Sequence, residues 1–482
     1  MLKLIIYKEL KEIIGSAKFA VTFGLCSILI ILAFFTGIKN YETSMLEYNA
    51  SNAARATRHE KRTDWSEVTD YQIFLTPKPL SSLVMGVSND LGRSGYINGS
   101  DIPSFSDSTY SQQPVFAVFR FLDLEFVFQI ILSLFAILFA FDSINGEKER
   151  GTLRLSFANS LPRANYILGK LAGSFLALAL PLLIPILIGI LMLPLSGITL
   201  SGEEWVRLFL FIAGGFLYLG VFLTLSVFIS GLTQRPSSSF LFLLVIWVCS
   251  ALIIPRASIL VAGNIVEVPS SEEISMRQLQ LGRQNAREYT EKLGELYKEF
   301  FQELRQGKDR SPEFQKKRQD EIGEALRKFR TEKDKQVKDL TSRLNEERRN
   351  LLNKQERLAF NISRISPVAV FNLASTTLAG TSVDLRNHFQ KRAEEYSESF
   401  AAFYKKKTGR EIGSPGSSSS RDEEEKKPKQ PIDIREIPEF VYQPPGLSVI
   451  LKDSIPDMAI LILFNLIFFS GAFLAFLRYD LR

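Results

Sequence analysis

Apolar residues along this chain gather in six blocks of spanning length, roughly 20 residues each, and strongly polar stretches separate them. The blocks are Phe19–Ile38, Leu124–Phe141, Leu171–Leu193, Leu208–Ser230, Phe240–Ala262 and Met458–Leu477. In hydrocarbon every backbone N–H and C=O must be bonded within the segment, so each block predicts a transmembrane helix. The fifth is interrupted by Pro255 and Arg256, and its membrane part is expected to end near Ile254. The first reads as a span and not a cleaved signal, because no small-residue cleavage site follows it and an amphipathic stretch precedes it. The predicted fold class is an all-α polytopic membrane protein.

The polar stretches have patterns of their own. In residues 1–18, Leu2, Ile5, Ile6, Leu10, Ile13 and Ala17 share one helical stripe, with Lys3, Lys8 and Lys11 opposite. That predicts an amphipathic helix lying in the membrane interface. A first insertion, residues 39–123, starts polar and helical over Tyr41–Thr63 and then turns irregular. Its TPKPLSSLVMGVSNDLG stretch reads as turns and short strands. A second insertion, residues 263–456, repeats apolar residues every three and four positions over 272–305 and again from Pro312 to Leu358, with QGKDRSP between. This predicts an antiparallel coiled-coil-like hairpin over 272–358, with arms of roughly 50–70 Å at 1.5 Å per residue. The arms either project or lie on the rest of a large, mainly helical extracytoplasmic domain. Beyond them, SRISPVAVFNLASTTLAGTS is expected to pack near the membrane surface, and 405–442 to be a disordered, solvated linker.

Lys/Arg asymmetry orients the spans. The connection 142–166 holds Lys148, Arg150, Arg154 and Arg163, with Lys170 just beyond, whereas Pro194–Glu204 holds no basic residue. The first loop therefore faces the cytoplasm. Alternation then puts both termini inside and both insertions outside.

Composition adds mainly exclusions. The formal charge of +6 sits in flanks of apolar blocks or in balanced runs, which argues against a nucleic-acid partner. Cys26 and Cys249 both fall inside apolar blocks, and His59 and His388 lie far apart, so neither a disulfide framework nor a metal site is expected. No GxxxxGK[ST] loop is present: Gly169-Lys170 is followed by Leu171. No acidic residue falls in the middle of a span. Gln129 and Asn465, the main polar side chains inside spans, are expected to bond neighbouring helices. The chain reads as neither an enzyme nor an ion-driven carrier.

One segment remains chemically unusual, FDSINGEKERGTLRLSFANSLPRANYILGK. A basic loop satisfies the positive-inside rule by itself. A surface that docks a soluble partner would need the same exposed carboxylates, short helix and glycine break.

Here the sequence resembles the membrane subunits of ABC transporters of the ABC-2 type. The resemblance rests on Gly146-Glu147-Lys148-Glu149-Arg150-Gly151-Thr152-Leu153 after the second span, then Pro162-Arg163 and Gly169-Lys170. It is joined by Lys8-Glu9-Leu10, the SRISP stretch at Ser363–Pro367 and the ending Arg478-Tyr479-Asp480-Leu481-Arg482. It looks most like the bacterial subfamily with long extracytoplasmic loops. The resemblance implies a permease in the inner membrane, probed from the cytoplasm by a separately encoded ATPase that carries the ATP and Mg, and paired with a second permease subunit. It makes the N-terminal helix and the 142–166 coupling loop the cytoplasmic docking surface and assigns ATPase coupling to Glu147, Glu149, Arg150, Gly151, Thr152 and Arg163, while Lys3, Lys8 and Lys11 belong to the interfacial helix. Two other readings remain open at this point. One is a membrane-anchored sensor; the other is an envelope scaffold that uses the helical hairpin.

Overall fold

The structure is a computed structural model that describes residues 2–60, 62–88, 93–97, 104–105, 122–153, 157, 162–306, 311–409, 412, 433 and 436–478. Arg154, the tail from Tyr479 and the SPGSSSSRDEEEKKPKQP stretch lie outside them. The described chain separates into two compact units, residues 1–253 with 364–482, and Ile254–Ser363.

Among the described residues six helices are long and apolar enough to cross a membrane: Ala17–Arg58, Leu124–Glu149, Arg163–Leu195, Gly202–Leu232, Pro236–Ile265 and Leu447–Leu477, numbered here as spans one to six. A short helix, α1 (Leu2–Ile14), precedes them. Because the spans alternate in direction, α1, the connection after span two and the end of span six share one face, called here the terminal face. The first insertion and the part of the second from Arg364 onward share the opposite, insertion face.

The helices outrun the apolar blocks wherever no breaker stops them. Span one belongs to a single helix, Ala17–Glu60, because residues 39–60 contain neither Gly nor Pro. Span three begins at Arg163, well before Leu171, so Lys170 lies inside the helix. Pro255 does not break span five. The residues just before it, Cys249–Ile253, open into a π turn, the usual way to absorb a proline that lacks the N–H the ladder needs.

A second π turn, Val127–Leu132, interrupts span two and leaves the Gln129 carbonyl to other donors. The hydroxyls of Tyr218 (2.8 Å) and Ser133 (2.7 Å) both donate to it. Ser133 Oγ in turn accepts from Trp247 Nε1 at 2.9 Å. Spans two, four and five are thus tied by side chains where one backbone ladder is widened. Asn465 of span six donates to the Leu217 carbonyl of span four at 3.0 Å, the neighbour-helix bond expected of it.

On the insertion face, the SRISP stretch leads into α5 (Pro367–Ala379), and this helix goes deeper than surface packing. Phe371 is 1% exposed and stacks on Tyr218 with ring centres 4.7 Å apart, beside Phe128 and Phe211. The sequence suggests shallow packing because α5 holds Asn, Ser and Thr. Ser375 and Thr376 are spent locally, both donating to the Asn372 carbonyl, and the Asn372 amide donates to Glu125 of span two. Ahead of α5, Arg364 grips Asp457 at 2.6 Å.

Three short antiparallel strands, β1 (Tyr71–Phe74), β2 (Ser94–Ile97) and β3 (Ser104–Phe105), pair in the order β1-β2-β3, with Tyr71 opposite Ile97. Helix α6 (Val383–Thr408) lays Leu385, Phe389, Ala393, Tyr396 and Phe400 against Tyr71, Ile73 and Ile97. Ile437 and Tyr442 close the same core, which corrects the reading of 405–442 as a linker. Its first residues continue α6, and its last ones are buried because Ile437, Phe440 and Tyr442 supply an apolar edge that the intervening charged run obscures.

The second unit is an antiparallel pair, α3 (Ser271–Arg305) and α4 (Pro312–Ser363). Phe300, Ile322 and Leu326 form its core with Tyr289, Leu293, Leu296 and Leu304. The register is held outward from the turn by Arg318 on Glu303 (3.0 Å), Lys333 on Glu288, Gln278 on Thr341 (3.2 Å) and Arg348 on the Pro269 carbonyl (3.0 Å). The hairpin pattern is therefore real, and α4 is about 80 Å long at 1.5 Å per residue.

Candidate functional site

The terminal face holds the most concentrated polar chemistry among the described residues. The chain supplies it from α1, from the short helix α2 (Asn145–Glu149) that ends span two, and from the first turns of span three.

Helix α1 lies directly on span three because Gly169 and Gly173 give it room. A Cβ at Gly169 would stand 2.6 Å from Ile5 Cγ2, and one at Gly173 would stand 2.6 Å from Glu9 Cβ. The close approach carries Glu9 inward, where Lys170 Nζ meets it at 2.7 Å. The same ammonium reaches Glu147 of α2 at 3.0 Å, and Tyr166 donates its hydroxyl to Glu147 at 2.7 Å. Side-chain exposures of Lys170, Glu9 and Glu147 are 5%, 7% and 10%, so one buried cation is shared by two buried carboxylates. Burial pushes the Glu9 carboxyl above its ordinary value, and the Lys170 charge opposes that rise only in part. Phe157 packs on both Tyr166 and Phe476 and closes the apolar side of the cluster.

Helix α2 is anchored on its other side to span four. The Ile144 and Asn145 N–H groups donate to Ser230 Oγ at 3.0 and 3.1 Å. Lys148 Nζ donates to the Gly231 and Thr233 carbonyls at 2.6 and 3.2 Å, satisfying carbonyls at that helix's C-terminal end. Arg163 treats span six alike, donating to the Leu477 carbonyl at 2.6 Å.

The residues expected to meet an ATPase therefore divide into two groups. Glu149, Arg150, Gly151 and Thr152 are exposed, and Gly151 takes the left-handed φ of +72° that its turn requires. Arg150 makes only a loose pair with Glu12, 3.7 Å apart and solvated on both sides. Glu147 and Arg163 also bond within the chain: Glu147 is the counter-charge of Lys170, and Arg163, half-buried, donates to the carbonyl at the end of span six. Lys3, Lys8 and Lys11 are all exposed, as an interfacial helix requires, and Lys8 also reaches Glu147 at 3.3 Å.

Three members of the cluster escaped sequence reasoning. Glu9 sits in the middle of the apolar stripe of α1, and a lone acid in such a stripe is a usable signal for a buried counter-charge. Lys170 offered a second signal, since it lies inside the helix that crosses the membrane as span three. Tyr166 offered none.

Bonds of 2.6 to 3.2 Å thus tie α1 to span three, the end of span two to spans three and four, and span three to span six. A family model described as "ABC-2 family transporter protein" matches residues 4–481. No curated protein matches the chain.

Proposed function

We propose that this chain, which belongs to the ABC-2 family of transporter proteins, drives export with energy taken from a separate ATPase that docks on the terminal face. Membership makes it the membrane subunit, or permease, of an ABC transporter. The observation that carries the finer reading is the two-sided build of α2. One edge, Glu149 to Thr152, is solvated and charged, while the other is bonded to spans three and four. A partner that grips the solvated edge by charge-assisted hydrogen bonds can shift the bundle as a rigid two-state body when it closes on ATP.

The excess of Lys and Arg in the short loops of the terminal face favours placing that face, with both termini, in the cytoplasm of a bacterial cell. A second permease subunit completes the assembly in this reading. The cargo reading is lipid-like or amphipathic. It is supported by a groove of about 480 Å³ between spans three, four and six, lined by Leu171, Phe175, Phe216, Gly220, Thr224 and Asn465, a volume within the range of small-molecule sites.

The test is co-purification with the ATPase subunit encoded beside this chain. The double charge reversal Glu149→Lys, Arg150→Glu should reduce recovery of the ATPase at least tenfold. It should leave thermal unfolding of the permease unchanged, because both side chains are exposed. Full recovery of an active complex would place the docking surface elsewhere.

A further inference from the structure

The groove between spans three, four and six carries one polar feature that its apolar walls leave unmatched. Asn465 of span six donates its amide nitrogen to two carbonyls, Leu217 of span four at 3.0 Å and its own Leu461 at 2.9 Å. Carbonyl oxygens only accept, so these partners fix which end of the amide is the nitrogen and turn the oxygen the other way. That oxygen lies over Gly220, where a Cβ would stand 2.9 Å from it, and Gly220 is itself part of the groove wall. Among the described residues no donor reaches it. The Thr224 hydroxyl, one turn further along span four, spends its proton on the Val221 carbonyl at 3.0 Å and keeps only lone pairs for the groove. The groove therefore offers acceptors and no donor.

Its depth makes that imbalance matter. Asn465 and Gly220 lie roughly 18 Å from the terminal-face ends of their helices, Leu477 and Leu232, at 1.5 Å per residue. In a hydrocarbon core about 30 Å thick, that is near the middle, where neither bulk water nor an acyl tail supplies a donor. The remaining wall is apolar, with the Phe175 and Phe216 rings edge to face at 6.5 Å between centres. Among the described residues no charged side chain lines the groove. Lys170, next to Leu171 in sequence, is bonded to Glu9 and Glu147 instead. An anionic headgroup would find no counter-charge here, and burying an unpaired charge costs far more than burying an unpaired amide.

We propose that the groove binds an uncharged amphiphile that brings a hydroxyl or amide N–H to the Asn465 oxygen and lays its apolar body against Phe175 and Phe216. The inference rests on the reading of this groove as the cargo site and narrows it. Neutral lipid-like alcohols and amides are admitted; anionic phospholipids are not.

The probe is a hexadecanol carrying a diazirine beside its hydroxyl end, photolysed with the full chain in lipid nanodiscs, and attachment sites are read by mass spectrometry. In a bare bilayer the hydroxyl stays among the headgroups, so attachment around Phe216–Thr224 and Asn465 reports a hydroxyl drawn to mid-depth. Unlabelled hexadecanol should compete. Hexadecyl methyl ether, which lacks the donor, should compete about three- to fifteenfold less well, the worth of one side-chain hydrogen bond in a membrane, and hexadecyl phosphate less well still. Asn465→Leu should erase the preference of alcohol over ether. Should that variant not fold, Ala213→Phe fills the groove and should abolish attachment. Equal competition by alcohol and ether, stronger competition by the phosphate, or attachment that avoids these spans would overturn the inference and leave an acyl tail or a neighbouring helix as the occupant. ATP hydrolysis by the complex with its ATPase, measured with added hexadecanol, tests the cargo reading separately: alcohol-selective attachment without stimulation would sink that reading and leave the ligand class standing.

Discussion

Removing the shared cation of the terminal-face cluster is the sharpest perturbation the structure offers. Lys170→Met keeps the volume and the helix propensity of the side chain but leaves Glu9 buried with no counter-charge and Glu147 with only the exposed Lys8. Both lost pairs are short, 2.7 and 3.0 Å, and no member is more than 10% exposed, so solvent screening gives little relief. Breaking a buried pair from one side costs about 3–5 kcal/mol, which at 1.4 kcal/mol per decade is roughly a hundredfold to several-thousandfold in an equilibrium. The strain is expected at the weakest attachment, the docking of α1 on span three. Ile5→Cys, in a background lacking Cys26 and Cys249, reports that docking through its contact with Gly169. Its maleimide labelling rate in nanodiscs should rise at least a hundredfold with Lys170→Met. Adding Glu9→Gln and Glu147→Gln should recover most of the protection, since neutral partners no longer need the ammonium. Lys8→Ala is the internal control: Lys8 is 57% exposed, so its pair with Glu147 is worth about 0–1 kcal/mol. Protection unchanged by Lys170→Met would mean that the cluster does not hold α1.

Three further outcomes are expected. Phe371→Ala, which empties a ring position at the junction of α5 with spans two and four, should cost about 3–5 kcal/mol, read as a lower unfolding midpoint; a loss under 1 kcal/mol would contradict the buried placement of α5. For Lys78, the folded chain has released a proton that the unfolded chain still holds between pH 8 and 10.5. Stability should therefore rise with pH across that window. Lys78→Met should remove this slope in a series of melts from pH 7.5 to 10.5, and a parallel slope in the variant would refute the assignment. Asp457→Asn should loosen the grip of Arg364 at the insertion-face end of span six and raise protease access to the 363–366 segment, with Arg364→Gln giving the same phenotype.

Much of the architecture was legible because membrane helices and coiled coils are written in periodicity. Six apolar blocks mark the spans, and the three-and-four spacing from Leu279 to Leu304 and from Ile322 to Leu358 marks the hairpin. Helix ends were less legible. Apolar composition reports where hydrocarbon lies, whereas a helix stops at a breaker, so span one continues to Glu60 and span three starts at Arg163. Helix α5 was underrated because its hydroxyls bond their own backbone, which a composition reading counts as polarity. The candidate site was half visible. The charged edge from Glu149 to Thr152 stands out as a motif, but the inward turn of Glu147 depends on a lysine 23 residues later and a glutamate on another helix. Pairings of that range leave no local trace, although a lone acid in an apolar stripe was a fair warning.

Coupling to an ATPase as proposed requires the charged edge of α2 and the helical hairpin to lie on opposite sides of the bilayer, with α2 on the ATPase side. Membrane-impermeant maleimide labelling of Glu149→Cys and of Glu299→Cys, each in the cysteine-free background, tests this in oriented vesicles. Position 149 should label only in inside-out vesicles and position 299 only in right-side-out ones. Labelling of both from the same side would contradict the account.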